Sequence, residues 1–122
     1  MIVAGFGFRA SATLTSLRSA LSQTGWETKV SALAAPADKA HAAPLQRLAK
    51  RLQVPVHPVS DVHMQAMVTK TQSDVSLARR GTGSVAEACA LAVAGPEADL
   101  TVTRRVSEDH LATCSIAKGN PR

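Results

Sequence analysis

Aromatic residues are nearly missing from this chain of 122 residues, which contains two phenylalanines, one tryptophan and no tyrosine. Proteins that bind single-stranded nucleic acid stack its bases on aromatic rings interleaved with basic residues. The shortage therefore argues against a nucleic-acid partner, although the formal net charge of +5 favours anionic partners in general. It also leaves alanine, valine and leucine to fill the core, and such side chains favour close packing of helices on a sheet.

Cysteines and long apolar runs are scarce as well. Cys89 and Cys114 are the only cysteines, each in an apolar segment and neither in a CxxC pair, so reduced core thiols in a cytoplasmic protein are expected. Every apolar stretch is shorter than the roughly 20 residues that span a bilayer, and no basic region precedes the N-terminal MIVAGFGF. The sequence therefore predicts no membrane partner and no targeting signal.

The hydrophobic content of 45% is sufficient for one core, because a domain of this length hides roughly two thirds of its unfolded surface. One domain over residues 1–118 is expected, followed by a disordered tail at residues 119–122. Strands are predicted at residues 1–4, 29–34, 54–56, 100–106 and 112–117. Helices are predicted from Ser11, from Asp38, over residues 61–68, and in an Ala-rich run that Gly95-Pro96 ends. Residues 70–76 are predicted as loop. This order predicts a three-layer α/β/α domain with a mixed, mostly parallel sheet.

The stretch Gly5-Phe6-Gly7-Phe8-Arg9 is predicted to form a turn between the first strand and the first helix. Ligands of open α/β sheets bind at that edge, where backbone N–H groups and helix N-termini face a crevice, and Arg9 adds a bidentate donor for carboxylate or phosphate. The stretch is not the dinucleotide fingerprint GxGxxG, because residue 10 is alanine. The alternative is a simple tight turn with Ser11 as the N-cap.

A second stretch, Gly81-Thr82-Gly83-Ser84, precedes the Ala-rich helix and lacks the Gly-Lys-Ser/Thr ending of a nucleotide-triphosphate loop. Glu87 is the only charge between residues 85 and 94. Ser84-x-x-Glu87 fits a capping box, in which the serine oxygen accepts the N3 amide, the glutamate reaches back to the N-cap amide, and glutamine would serve equally well. A general acid or base is the alternative, and the pattern favours the cap.

The histidines form no metal-site pattern. His57 and His63 are separated by a turn without a cysteine or carboxylate pair to complete a set, and His41 and His110 are isolated, so neither a metal nor another cofactor is expected. Ser107, Asp109 and His110 resemble a triad only in sequence, because neighbours in a turn do not face each other as a nucleophile and its base must.

Three strings, GFGFR near the N-terminus, GTGSVAEACAL in the second half and the closing TCSIAKG, together resemble a family of cobalamin-biosynthesis proteins. The family includes CobE and the C-terminal domain of the cobalt-precorrin hydrolase CbiG, and the likeness covers almost the whole chain in the same order. The length of the chain favours a stand-alone member over a fused hydrolase. The matching positions form the candidate ligand site: Gly5, Gly7, Arg9, Ser11, Thr71, Ser73, Gly81, Gly83, Ser84, Glu87 and Thr113.

The resemblance implies a ligand, a carboxylate-rich precorrin or hydrogenobyrinic-type tetrapyrrole. Its acetate and propionate rim would suit helix N-termini, Arg9 and the positive charge, and Phe6, Phe8, Met64 and Met67 are candidates for an apolar wall. For both methionines, core packing is the favoured role. The expected function is that of a carrier, or an accessory to other enzymes of the pathway, without catalysis of its own. Two alternatives remain open: a precorrin hydrolase that uses Glu87, and a small regulatory domain that binds an anion or a nucleotide.

Overall fold

The computed structural model describes residues 1–119, so residues 120–122 of the predicted tail lie outside the described residues. Gly119, the first residue of that tail, is buried, and its amide donates to the carbonyl of Met1 at 2.9 Å. The strands in this part of the chain are β1 (Ile2–Phe8), β2 (Ala32–Pro36), β3 (Val56–Val59), β4 (Asp99–Val106) and β5 (Ala112–Lys118). The helices are α1 (Leu14–Thr24), α2 (Ala43–Leu52), α3 (Asp61–Gln65), α4 (Asp74–Arg80) and α5 (Val85–Ala94).

The five strands form one sheet in the order β3-β2-β1-β5-β4. Strands β1, β2 and β3 pair in parallel, and β5 lies antiparallel between β1 and β4. Four strands therefore run in the same direction, which confirms the predicted mixed, mostly parallel sheet. Helices α1 and α2 pack on one face of the sheet, and α3 and α5 pack on the other. The predicted three-layer architecture is also confirmed.

The turn that was predicted at Gly5-Phe6-Gly7-Phe8 is wrong. These four residues are instead the last part of β1. These residues pair residue by residue with β5, from Gly5 opposite Ser115 to Phe8 opposite Ala112. A Cβ atom at Gly5 would overlap the carbonyl oxygen of Ala86 in α5. Gly5 is therefore needed because the backbone of α5 lies directly against the strand, a contact that local propensity does not reveal.

Helix boundaries differ from the predictions at four places. Helix α3, predicted over residues 61–68, ends at Gln65. Helix α1 begins after Thr13 and not after Ser11, because the Thr13 side chain closes a capping box there. Residues 70–76 are not all loop, since α4 begins within them, with Ser73 as its N-cap. Asp38 lies in a turn ahead of α2 instead of at its N-cap. The predicted end of α5 at Gly95 is confirmed.

The two cysteines are buried thiols, as predicted. Burial raises the pKa of Cys89 to about 12 and also raises that of Cys114 well above its ordinary value. Neither side chain is therefore a reactive thiolate near neutral pH. Within residues 1–119, no helix has the length and apolarity required to cross a membrane.

Candidate functional site

An open cleft of about 770 Å³ lies where β1 and β2 end and where β4 and β5 meet. This edge of the sheet is where open α/β folds bind ligands, because the strands leave a crevice between the loops that follow them. The residues that line the cleft are Gly7, Phe8, Arg9, Ala10, Ser11, Pro36, Lys39, Ser73, Ser76, Arg80, Ser84, Val85, Arg104, Val106, His110, Leu111, Ala112 and Thr113.

The lining of the cleft is positively charged. Among the residues that the structure describes, Arg9, Lys39, Arg80 and Arg104 line it, and no aspartate or glutamate does. The Lys39 ammonium lies 5.3 Å from the centroid of the Phe8 ring, so a cation and an aromatic face occur together at the end of β1. The cleft is therefore suited to a ligand that combines carboxylates or phosphates with an apolar face.

Glu87 supports the cleft from behind rather than lining it. Its side chain is fully buried, and its Oε1 atom accepts the amides of Lys70 at 2.8 Å and Thr71 at 3.0 Å. Its Oε2 atom accepts the Thr71 hydroxyl and, at 2.8 Å, the Arg104 amide. One buried carboxylate thus joins α5, the loop ahead of α4, and β4.

The predicted capping box is therefore only half right. Ser84 does cap α5, because its hydroxyl oxygen accepts the Glu87 amide at 3.3 Å. The Glu87 carboxylate does not reach back to the Ser84 amide, because four donors from other segments occupy it. Sequence spacing along one helix cannot reveal partners that are 16 and 17 residues distant.

Hydrogen bonding holds Glu87 in its charged form. Burial opposes ionisation, but hydrogen bonds from the Thr71 hydroxyl and amide and from the Arg104 and Lys70 amides outweigh it, so the pKa lies below the ordinary value. A general acid or base works best with a pKa near the operating pH. A low pKa and fully used oxygens instead give Glu87 a structural role.

Arg104 reaches the cleft because β4 is irregular. The register of β4 against β5 shifts between Val102 and Arg105, and the Arg104 amide donates to Glu87 within this shift. A bulge of this kind re-aims a side chain, and the Arg104 side chain lines the cleft. The sequence has an Arg104-Arg105 pair but no local signal for the bulge, so Arg104 was not among the predicted site residues.

The structure brings six of the eleven predicted site residues into the lining of the cleft: Gly7, Arg9, Ser11, Ser73, Ser84 and Thr113. The other five lie behind it or beside it. Gly5 packs under α5, Thr71 bonds to Glu87, and a Cβ atom at Gly83 would press on the Thr71 carbonyl and on Gln72. Gly81 is the exposed C-cap of α4, with a φ of 72° that favours glycine.

Three cations of the lining, Lys39, Arg80 and Arg104, are not among the eleven predicted site residues. Lys39 could have been found, because it follows β2 closely, but the strand was predicted to end too early. Of the four candidates for an apolar wall, Phe8 lines the cleft, Phe6 and Met64 are fully buried, and Met67 packs on the core. Within residues 1–119, no group of three or more histidine, cysteine, aspartate or glutamate side chains could hold a metal ion.

The Ser107, Asp109 and His110 segment forms the turn between β4 and β5. The Asp109 carboxylate accepts the Ser107 hydroxyl at 2.6 Å and the Leu111 amide at 3.1 Å, and it also accepts the Ser16 hydroxyl. The hydrogen bonds from Ser107 and Ser16 lower the pKa of Asp109. Asp109 therefore orders the turn that places His110 and Leu111 in the cleft lining.

Comparison with known proteins agrees with the resemblance seen in the sequence. A family model described as Cobalamin synthesis G C-terminus matches residues 2–117. The crystal structure of CobE, a protein from the cobalamin (vitamin B12) biosynthetic pathway, is 30% identical with a TM-score of 0.87, covering 100% of this chain and 92% of that chain.

A second crystal structure, of cobalamin biosynthesis protein chiG from Agrobacterium tumefaciens str. C58, is 29% identical with a TM-score of 0.74. The match covers 99% of this chain and 100% of that chain. A search of curated protein sequences finds no match. The match to the family model over nearly the whole chain, on the fold described above, shows that the chain belongs to the Cobalamin synthesis G C-terminus family.

Proposed function

We propose that the chain binds a carboxylate-rich precorrin or a related tetrapyrrole intermediate in the cleft, as a carrier or as an accessory to another enzyme of cobalamin biosynthesis. The observation that carries this proposal is the lining of the cleft, in which the described residues include four cationic side chains and no acidic one. The pathway is inferred from the family to which the chain belongs, and the class of ligand is inferred from the charges that line the cleft.

The cations lie on different walls of the cleft. Arg9 follows β1, Lys39 follows β2, and Arg104 is on β4. Several carboxylates on the rim of one flat ligand could meet such a distribution at once, whereas a single phosphate would engage only part of it. Charge-assisted bonds from arginine to carboxylate are about twice as strong as neutral ones, so the distribution favours a polycarboxylate.

The remaining lining suits the face of a macrocycle. Phe8, Pro36, Val85, Val106 and Leu111 contribute apolar surface next to the cations. A conjugated ring could stack on Phe8 once Lys39 moves from the ring to a ligand carboxylate. The volume falls within the roughly 300–1,000 Å³ of ordinary ligand sites, and the open side would leave part of the ligand in water.

The hydrolase alternative loses its candidate residue, because the Glu87 oxygens are occupied and Glu87 does not line the cleft. The alternative of a regulatory domain that binds an anion or a nucleotide gains no phosphate loop from the second glycine stretch, because Gly83 is packed against Thr71 and Gln72.

The test is a visible-absorbance titration of the purified chain with hydrogenobyrinic acid, a coloured corrinoid with a carboxylate rim. We expect a coloured complex that survives gel filtration, and about tenfold weaker binding for each of Arg9→Ala and Arg104→Ala. Arg47→Ala, an exposed arginine of α2 outside the cleft, is the matched control. Absence of a complex, or an equal loss in the Arg47→Ala control, would remove the tetrapyrrole from this cleft.

A further inference from the structure

Arg80, the last residue of α4, differs from the other cations of the cleft because it already holds carboxylates. Its Nη1 and Nη2 atoms lie 2.8 and 2.9 Å from the two oxygens of Asp38, and Nη1 lies 3.4 Å from Oδ1 of Asp61. In the part of the chain that the structure describes, no other cation of the cleft lining forms an ion pair.

The arginine and its partners differ in their access to water. The Arg80 side chain is 20% exposed and lines the cleft, whereas those of Asp38 and Asp61 are 60% and 64% exposed. Hydrogen bonding to Arg80 lowers the pKa of Asp38, so this carboxylate is ionised in the free protein. A mostly exposed carboxylate regains its water easily when its partner is taken away, so the pair is exchangeable.

The same ion pair ties α4 to the rest of the domain. At the C-terminal end of the helix, the Gln65 side-chain amide donates to the Arg80 carbonyl at 3.1 Å, beside the ion pair with Asp38. At the other end, the Ser73 amide donates to the Gly83 carbonyl at 2.8 Å. The position of α4 along the cleft therefore depends in part on which carboxylate Arg80 holds.

We infer that Asp38 occupies Arg80 only while the cleft is empty, and that a carboxylate of the ligand replaces it there. The inference rests on the proposed function, and it makes Arg80 a specificity-determining residue. A ligand carboxylate offers Arg80 the same planar pair of oxygens as Asp38, so one bidentate contact is exchanged for another. The cleft would then select a ligand with two suitably spaced carboxylates, one that binds Arg80 at the end of α4 and a second that binds Arg9.

The test is a double-mutant cycle on hydrogenobyrinic acid affinity, with Asp38→Asn, Arg80→Gln and the double variant. Asp38→Asn removes the nearer of the two competing charges and keeps the shape, so we expect about two- to fivefold tighter binding. In the Arg80→Gln background, the same change should leave affinity unaltered, since there is no cation to release. Asp99→Asn, at an exposed position at the start of β4 outside the cleft lining, is the control for added positive charge.

A second measurement follows α4 directly, by amide hydrogen exchange of residues 74–80 in the parent protein. Exchange in these residues should rise in ligand-free Asp38→Asn but not in Asp99→Asn, and it should change when the parent binds hydrogenobyrinic acid. Equal affinities for the two aspartate variants, with the parent binding normally, would overturn the exchange at Arg80 and leave the proposed function standing. No binding by any of the proteins would overturn both.

Discussion

Replacement of Glu87 by glutamine tests the role of a fully buried charge. Four donors converge on its two oxygens: the amides of Lys70, Thr71 and Arg104, and the Thr71 hydroxyl. Glutamine has one oxygen and one NH₂ group, which is itself a donor. If the NH₂ group replaces Oε1, two backbone amides lose their acceptor. If it replaces Oε2, the Thr71 hydroxyl can rotate, but the Arg104 amide cannot.

The expected cost follows from this count. At least one partly buried backbone N–H that faces the carboxylate is left unpaired in either orientation, which costs about 1–3 kcal/mol. The bonds that remain lose the charge that roughly doubles their strength. Together these effects predict a loss of about 2–4 kcal/mol in the free energy of unfolding. The sequence alone suggested the opposite, because glutamine would serve equally well in a capping box.

Urea unfolding followed by far-ultraviolet circular dichroism measures this loss, and Glu27→Gln, at an exposed position, is the control for a generic charge change. Amide exchange of residues 69–72 should also increase in Glu87→Gln, because their anchor is weakened. A Glu87→Gln protein within about 0.5 kcal/mol of the parent, with unchanged exchange in that loop, would refute the role derived from the four donors.

Three further predictions concern pH, packing and salt. Because the pKa of Glu87 is lower in the folded than in the unfolded chain, its contribution to stability is complete above its ordinary value of 4.5. That contribution should be lost as pH falls through the pKa of Glu87 in the folded protein. The free energies of unfolding of the parent and of Glu87→Gln, measured at decreasing pH, should therefore converge. Gly5→Ala should destabilise by about 3 kcal/mol or prevent folding, because its Cβ meets the α5 backbone. Gly7→Ala should cost less, because its Cβ meets the Thr113 and Val85 side chains, and thermal melts compare the two. Affinity for hydrogenobyrinic acid should fall as salt rises, since exposed pairs are screened over about 8 Å at physiological ionic strength, and a flat dependence would indicate an apolar site.

The order of the elements other than α4, and the edge that carries the cleft, follow from the sequence, because both depend on local signals. Apolar runs alternate with helical patterns, Gly95 ends α5, and strands that run in parallel leave their crevice at one edge of the sheet. The glycine-rich end of β1 misled prediction, because glycine is rare in strands and common in turns. Only the contact with α5 explains Gly5 there, and that contact joins distant parts of the chain.

The parts of the site that sequence could not supply are those that depend on distant partners. Arg80 and Asp38 are 42 residues apart, and the Arg104 amide meets Glu87 only because β4 bulges. No periodicity or motif encodes such pairs. Arg9, by contrast, could be predicted, because its place directly after β1 is itself the reason that it reaches the cleft.

Burying a carboxylate is costly unless every acceptor site is used, so the full set of donors around Glu87 explains how the charge is tolerated. Those donors come from the loop that leads to Ser73 and from the bulge that carries Arg104, and both residues line the cleft. The buried charge therefore fixes the relative positions of two walls of the cleft without contacting its contents. An effect of Glu87 on ligand binding would then arise through the geometry of Arg104 and Ser73, and no proton transfer is needed to account for the presence of the only charged residue in α5.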